Sequence, residues 1–75
     1  MNKQRRAKLN VVKDAINKIK YELESILDEE QESYDNMPEG LQSSMRGMDS
    51  EDAIDNMESA IESLDEVIDS LENIM

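Results

Sequence analysis

Apolar residues recur along this chain at alternating steps of three and four, in two long runs. The first comprises Leu9, Val12, Ile16, Ile19, Leu23 and Ile26, and the second Ile54, Met57, Ile61, Leu64, Ile68 and Leu71. Such spacing keeps a stripe on one face of an α-helix. It predicts an all-α chain with helix 1 over about residues 3–33, helix 2 over about 49–75 and a loop over about 34–48. Paired antiparallel, the two runs match in one register, with Leu9 opposite Leu71, Val12 opposite Ile68 and Ile16 opposite Leu64. Ile19 then falls opposite Ile61, Leu23 opposite Met57 and Ile26 opposite Ile54, and every pair of numbers sums to 80. The expected architecture is an antiparallel helical hairpin mirrored about Gly40.

The loop is longer than the two to eight residues usual between packed helices. Pro38 turns Met37 away from helix and can start a short turn of helix over residues 39–44. Gly47 would permit a left-handed exit, after which Asp49 could cap helix 2, with Glu51 and Asp52 in its first turn. Met37, Leu41 and Met45 lie at i, i+4 and i+8. They either close the open end of the hairpin or form a recognition element.

The apolar stripe of helix 2 is widened by Ala53, Ala60, Val67 and Ile74, and helix 1 carries Val11, Ala15 and Leu27 off its main seam. A two-stranded seam needs none of these, and two helices alone bury a marginal core. Dimerisation into a four-helix bundle is the expectation.

Charge changes this picture by its distribution. The net charge is −11. Residues 1–20 hold seven of the eight cations (Lys3, Arg5, Arg6, Lys8, Lys13, Lys18, Lys20) against Asp14 alone. On helix 2 the acids Asp55, Glu58, Glu62, Asp65, Asp69 and Glu72 form one stripe, while Asn56, Ser59, Ser63, Ser70 and Asn73 form a small neutral one in which only Glu66 is charged. Arg6, Lys13 and Lys20, seven apart, would face Glu72, Asp65 and Glu58, each pair summing to 78, and so fix the antiparallel register. At the tip, Glu22, Glu24, Asp28, Glu29, Glu30, Glu32, Asp35, Glu39, Asp49, Glu51, Asp52 and Asp55 have only Arg46 nearby. These acids are either solvated or offered to a basic groove on another protein. An acidic stripe with a charge every ~5 Å loosely imitates the phosphates of a DNA strand, ~3.4 Å apart.

Composition bounds the chemistry. With no Cys and no His, the usual zinc ligands and the neutral-pH acid–base group are missing. No EF-hand window fits, since a loop starting at Asp49 puts Ile54 where glycine is needed, and two glycines make no phosphate loop. A carboxylate pair would need a partly desolvated cleft to act as acid and base. The expectation is a non-enzyme with no catalytic, cofactor or metal residues. No stretch is apolar enough to span a membrane, and the basic N-terminus leads into no apolar block. The chain therefore reads as cytoplasmic with no membrane partner, and the negative field around its cations argues for no direct nucleic-acid partner.

The stretch Asp28-Glu-Glu-Gln-Glu-Ser-Tyr-Asp-Asn-Met-Pro-Glu-Gly-Leu-Gln-Ser-Ser, then Arg46-Gly47 and the acidic heptads from Asp55, resembles a group of small acidic proteins from Gram-positive bacteria and their phages and prophages. The resemblance covers roughly residues 20–75, and its most specific part is Tyr34 to Gln42. It implies a phage or mobile-element setting and carries no activity with it. The candidate partner-binding residues are Glu29, Glu30, Tyr34, Asp35, Asn36, Pro38, Glu39, Leu41, Gln42 and Asp55. An aromatic with adaptable polar groups suits an interface, although Asp35 and Asn36 could equally make only the turn, and Tyr34 and Leu41 only close the core. Two functions follow as expectations. One is a binding protein that inhibits or modulates a basic, nucleic-acid-handling protein, partly by DNA mimicry; the other is a structural or adaptor module pairing through its apolar stripe.

Overall fold

The computed structural model describes residues 1–75 and is all-helical. Helix α1 spans Lys3–Asp35, α2 spans Glu39–Gln42 and α3 spans Met45–Ile74. Helices α1 and α3 pack along one another as an antiparallel hairpin, 58 × 15 × 12 Å overall, with α2 laid across the turn.

Each terminus has a local cause. Asn2 caps α1, its side-chain oxygen accepting from the amide of Arg5 at 2.8 Å, which satisfies one of the orphan donors of a first turn. The chain leaves α1 at Asn36, where the amides of Asn36 and Met37 donate to the carbonyls of Glu32 and Tyr34, both at 3.0 Å. Pro38, extended at ψ 150°, sits at the cap of α2, and its carbonyl accepts from Leu41 and Gln42.

The second long helix starts earlier than its sequence indicates. Its cap is Ser44, not Asp49, so the loop of 34–48 shortens to a few residues around α2. Gly47 makes no left-handed exit, for no residue has positive φ. It lies inside the first turn of α3 and is buried there. A Cβ at position 47 would stand 2.2 Å from the carbonyl oxygen of Gln42 and 2.5 Å from that of Leu41. The glycine is thus required by contact between α3 and the end of α2, and that contact lets helix resume so soon after Gln42.

The seam keeps the expected register but not all of the expected residues. Leu9, Ile16 and Leu23 are half-buried, as are Leu71, Leu64 and Met57, the partners that a sum of 80 assigns them. Ser50 donates to Glu30 at 2.6 Å, again a sum of 80. The alternate layers differ. Val12, Ile19 and Ile26 are 46%, 54% and 54% exposed, while Lys13, Lys20 and Leu27, each one residue later, are half-buried. Helix α1 is therefore turned so that its inward edge reads Leu9, Lys13, Ile16, Lys20, Leu23, Leu27, Glu30 and Tyr34. Lysine stems can line such a seam because their ammonium groups reach past it to water and to acids.

The ion pairs follow from that rotation. Lys13 meets Glu72 at 3.7 Å, and Lys20 meets Asp65 at 2.5 Å and Glu24 at 3.7 Å. The inter-helix pairs sum to 85 rather than 78, one heptad from the expected partners, and Arg6 and Glu58 are in no pair. The reach explains the shift: in a register of 80, Lys20 lies near Ile61, and Asp65 is one turn further along α3. The Asp65 hydrogen bond, followed by the attraction of Asp65 and Glu24, holds the Lys20 ammonium above its ordinary pKa of 10.5.

The resulting core is thin. Ile54 and Ile68 are the only large apolar side chains that are buried. No helix is long and apolar enough to cross a membrane.

Candidate functional site

The tip of the hairpin gathers most of the candidate residues, and the structure divides them into two sets. Glu30, Tyr34 and Gln42 are engaged internally. Glu30 accepts from the buried hydroxyl of Ser50. The Tyr34 hydroxyl donates to the Glu51 carboxylate, joining the end of α1 to the start of α3. That bond and the nearby charge of Glu51 raise the Tyr34 phenol above its usual pKa of 10.0. Gln42 donates from its side-chain amide to the Tyr34 carbonyl at 3.1 Å, tying α2 to the end of α1. These three residues brace the turn.

Glu29, Asp35, Asn36, Pro38, Glu39, Leu41 and Asp55 are exposed. Asp35 accepts from the Gln31 side chain at 3.0 Å, within its own helix, and Asn36 terminates α1. Glu29 and Asp35 lie six residues apart on α1, about 9 Å along its axis, and Asp55 lies about 15 Å along α3 from Met45. The candidates thus spread over the tip and the first third of each arm and do not converge on one point.

Sequence reasoning missed one component. Of the three apolar residues at i, i+4 and i+8, only Met37 is tucked in; Leu41 is 44% and Met45 80% exposed, and Met48 adds a further 57%. The early start of α3 turns Met45 and Met48 into first-turn helical residues beside Asp49 and Asp52 rather than loop residues folded over the core. The tip therefore offers flexible thioether surface among carboxylates. Methionine adapts readily to irregular partner surfaces.

The acidic stripe of α3 (Asp55, Glu58, Glu62, Asp65, Asp69, Glu72) is exposed throughout its length. Asp65 and Glu72 are engaged by Lys20 and Lys13, which leaves Asp55, Glu58, Glu62 and Asp69 outside any ion pair. No group of three or more carboxylates is arranged to hold a metal ion. The one concavity is a shallow groove on the outer surface of α1, lined by Asp14, Asn17, Lys18, Tyr21, Glu22 and Ser25. None of the protein families, curated proteins or solved structures compared with the chain matches it.

Proposed function

We propose that the chain is a non-enzymatic acidic binding protein that engages a basic, nucleic-acid-handling protein through its tip and the adjoining acidic edge. The observation that carries this reading is the spatial separation of charge. Between residues 21 and 61 there are thirteen acids and one cation, Arg46, and none of these acids meets a cation across the hairpin. Fixed like charges so concentrated repel one another and weaken the fold. A groove lined with Lys and Arg would relieve that repulsion on binding and be reached quickly by electrostatic steering. The exposed Leu41, Met45 and Met48 supply the apolar contact that charge alone lacks. Inhibition by occupying a DNA-binding groove is the mode we favour.

Capture from bacterial lysate tests the proposal, with bound proteins identified for the native chain and for a Glu29→Gln, Asp35→Asn, Glu39→Gln, Asp55→Asn variant. The proposal predicts a nucleic-acid-binding protein that added duplex DNA displaces and that the variant fails to retain. Capture indifferent to both DNA and the variant would sink it.

A second reading, a structural or adaptor module, draws on one observation: the hairpin leaves Val12, Ile19, Ile26, Val67 and Ile74 in water. A partner helix laid on those residues would hold equally well at high salt, which separates the two readings.

A further inference from the structure

The exposed apolar residues of the two arms share one side of the hairpin. Lys13 and Lys20 reach Glu72 and Asp65 along one edge of the seam. Ile19 precedes Lys20 by one residue, about 100° round α1, and so lies on the opposite edge, with Val12 and Ile26 in line at steps of seven. Val67 and Ile74 follow Asp65 and Glu72 by two residues, about 200° round α3, and so face the same way, in line with Ala60. The ion-paired edge is thus backed by an apolar face of Val12, Ile19, Ile26, Ala60, Val67 and Ile74. Beyond that face on α3 come Asn56, Ser63 and Ser70. Depletion of charge is the mark of an interface core.

We propose that a second copy of this chain covers the face, inverted so that the two acidic tips lie at opposite ends of an antiparallel four-helix bundle. Area is the first argument. The chain exposes 5673 Å², whereas a compact protein of its 8.6 kDa would expose about 4,700 Å². The excess, about 1,000 Å², is close to the ~800 Å² that each partner contributes to a standard interface. Burying it would also give Ile54 and Ile68 the company that a two-helix core lacks.

Charge chooses a copy of the chain and sets its direction. Residues 21–61 carry thirteen acids against Arg46, and the remainder six acids against seven cations. The tip end is strongly negative and the end holding the termini close to neutral. With tips aligned, thirteen acids would sit against thirteen. Inversion places Lys3, Arg5, Arg6 and Lys8 of each copy over the acidic tip region of the other. The same cations oppose the macrodipole of their own helix, whose first turn has no acid and whose last turn has no base. An inverted neighbour gives those cations an acidic surface to face.

In the inverted bundle α1 crosses α1, and Ile19, the midpoint of Val12, Ile19 and Ile26, meets Ile19 of the other copy. With tips aligned, Ile19 would instead meet Ala60. The chain contains no cysteine, so introduced thiols report without background. Sedimentation equilibrium of the native chain across micromolar concentrations should give twice the monomer mass. Ile19→Cys treated with a short bis-maleimide should yield a covalent dimer, and Val12→Cys should not, because its copies would lie roughly 20 Å apart. A monomeric native chain overturns the proposal. So does a dimer that cross-links only when Ala60→Cys is added to Ile19→Cys.

Discussion

Ser50, one of four buried residues, donates a 2.6 Å hydrogen bond across the hairpin to the carboxylate of Glu30. The bond sits where the arms converge on the tip, and it joins a neutral donor to a charged acceptor in a partly desolvated place. Bonds to charged groups contribute more than neutral ones, and an acceptor left without its donor costs its desolvation. Ser50→Ala should lower stability by about 1–3 kcal/mol, read as a fall in the thermal midpoint with circular dichroism. Glu30→Gln, which keeps an acceptor oxygen, should cost less.

Gly47 and Gly40 should answer the same substitution with opposite signs. Alanine in a helix is ordinarily worth up to about 1 kcal/mol over glycine. Nothing lies within 4 Å of a Cβ built on Gly40, so Gly40→Ala should raise the thermal midpoint. At Gly47 the added carbon meets the backbone carbonyls of Gln42 and Leu41, which cannot rotate away. Gly47→Ala should destabilise the tip, detectable as faster amide exchange over residues 36–50.

Alkaline pH should unlock the turn. The Tyr34 phenol has its folded pKa raised above 10.0, through its bond to Glu51. The stabilisation from that neutral donor is fully present below the unfolded pKa and disappears as pH rises through the folded one. Lys20 behaves alike, its ammonium held above 10.5 by Asp65. An absorbance titration of Tyr21→Phe, in which Tyr34 is the only phenol, should show a midpoint above 10.0. Stability of the native chain should fall beyond pH 10, and that fall should be smaller in Tyr34→Phe.

The ionic register can be measured directly. A double-mutant cycle between Lys20→Met and Asp65→Asn should show coupling that fades in high salt. The cycle between Lys20→Met and Glu58→Gln, the partner that a sum of 78 would select, should show almost none. Equal coupling in both would indicate that the lysine samples the whole acidic edge.

Period and register were legible from the sequence because a 3–4 repeat tolerates few pairings: Leu9, Ile16 and Leu23 fall where a sum of 80 puts them. The rotation of α1 was not. Val12 and Lys13 compete for the same layer, and hydropathy favours Val12. What hydropathy omits is that a lysine stem can line a seam while its charge reaches Glu72. Ser44 was hidden as a cap because Gly47 reads as a helix breaker, whereas its missing Cβ makes room for Gln42. At the tip, the motif residues could be named but not sorted. Whether Tyr34 braces the turn or anchors a partner depends on Glu51, seventeen residues away, and no local pattern encodes that bond.

The central claim, recognition of a basic partner by the acidic tip, meets its most direct test in the salt dependence of binding. Affinity for the partner captured from lysate should be measured by titration calorimetry over a range of ionic strengths. The native chain and the Glu29→Gln, Asp35→Asn, Glu39→Gln, Asp55→Asn variant should be compared. The account predicts affinity that falls steeply with salt for the native chain and more gently for the variant, with helicity alike in both. Affinity independent of salt, or equal slopes for the two proteins, would contradict it.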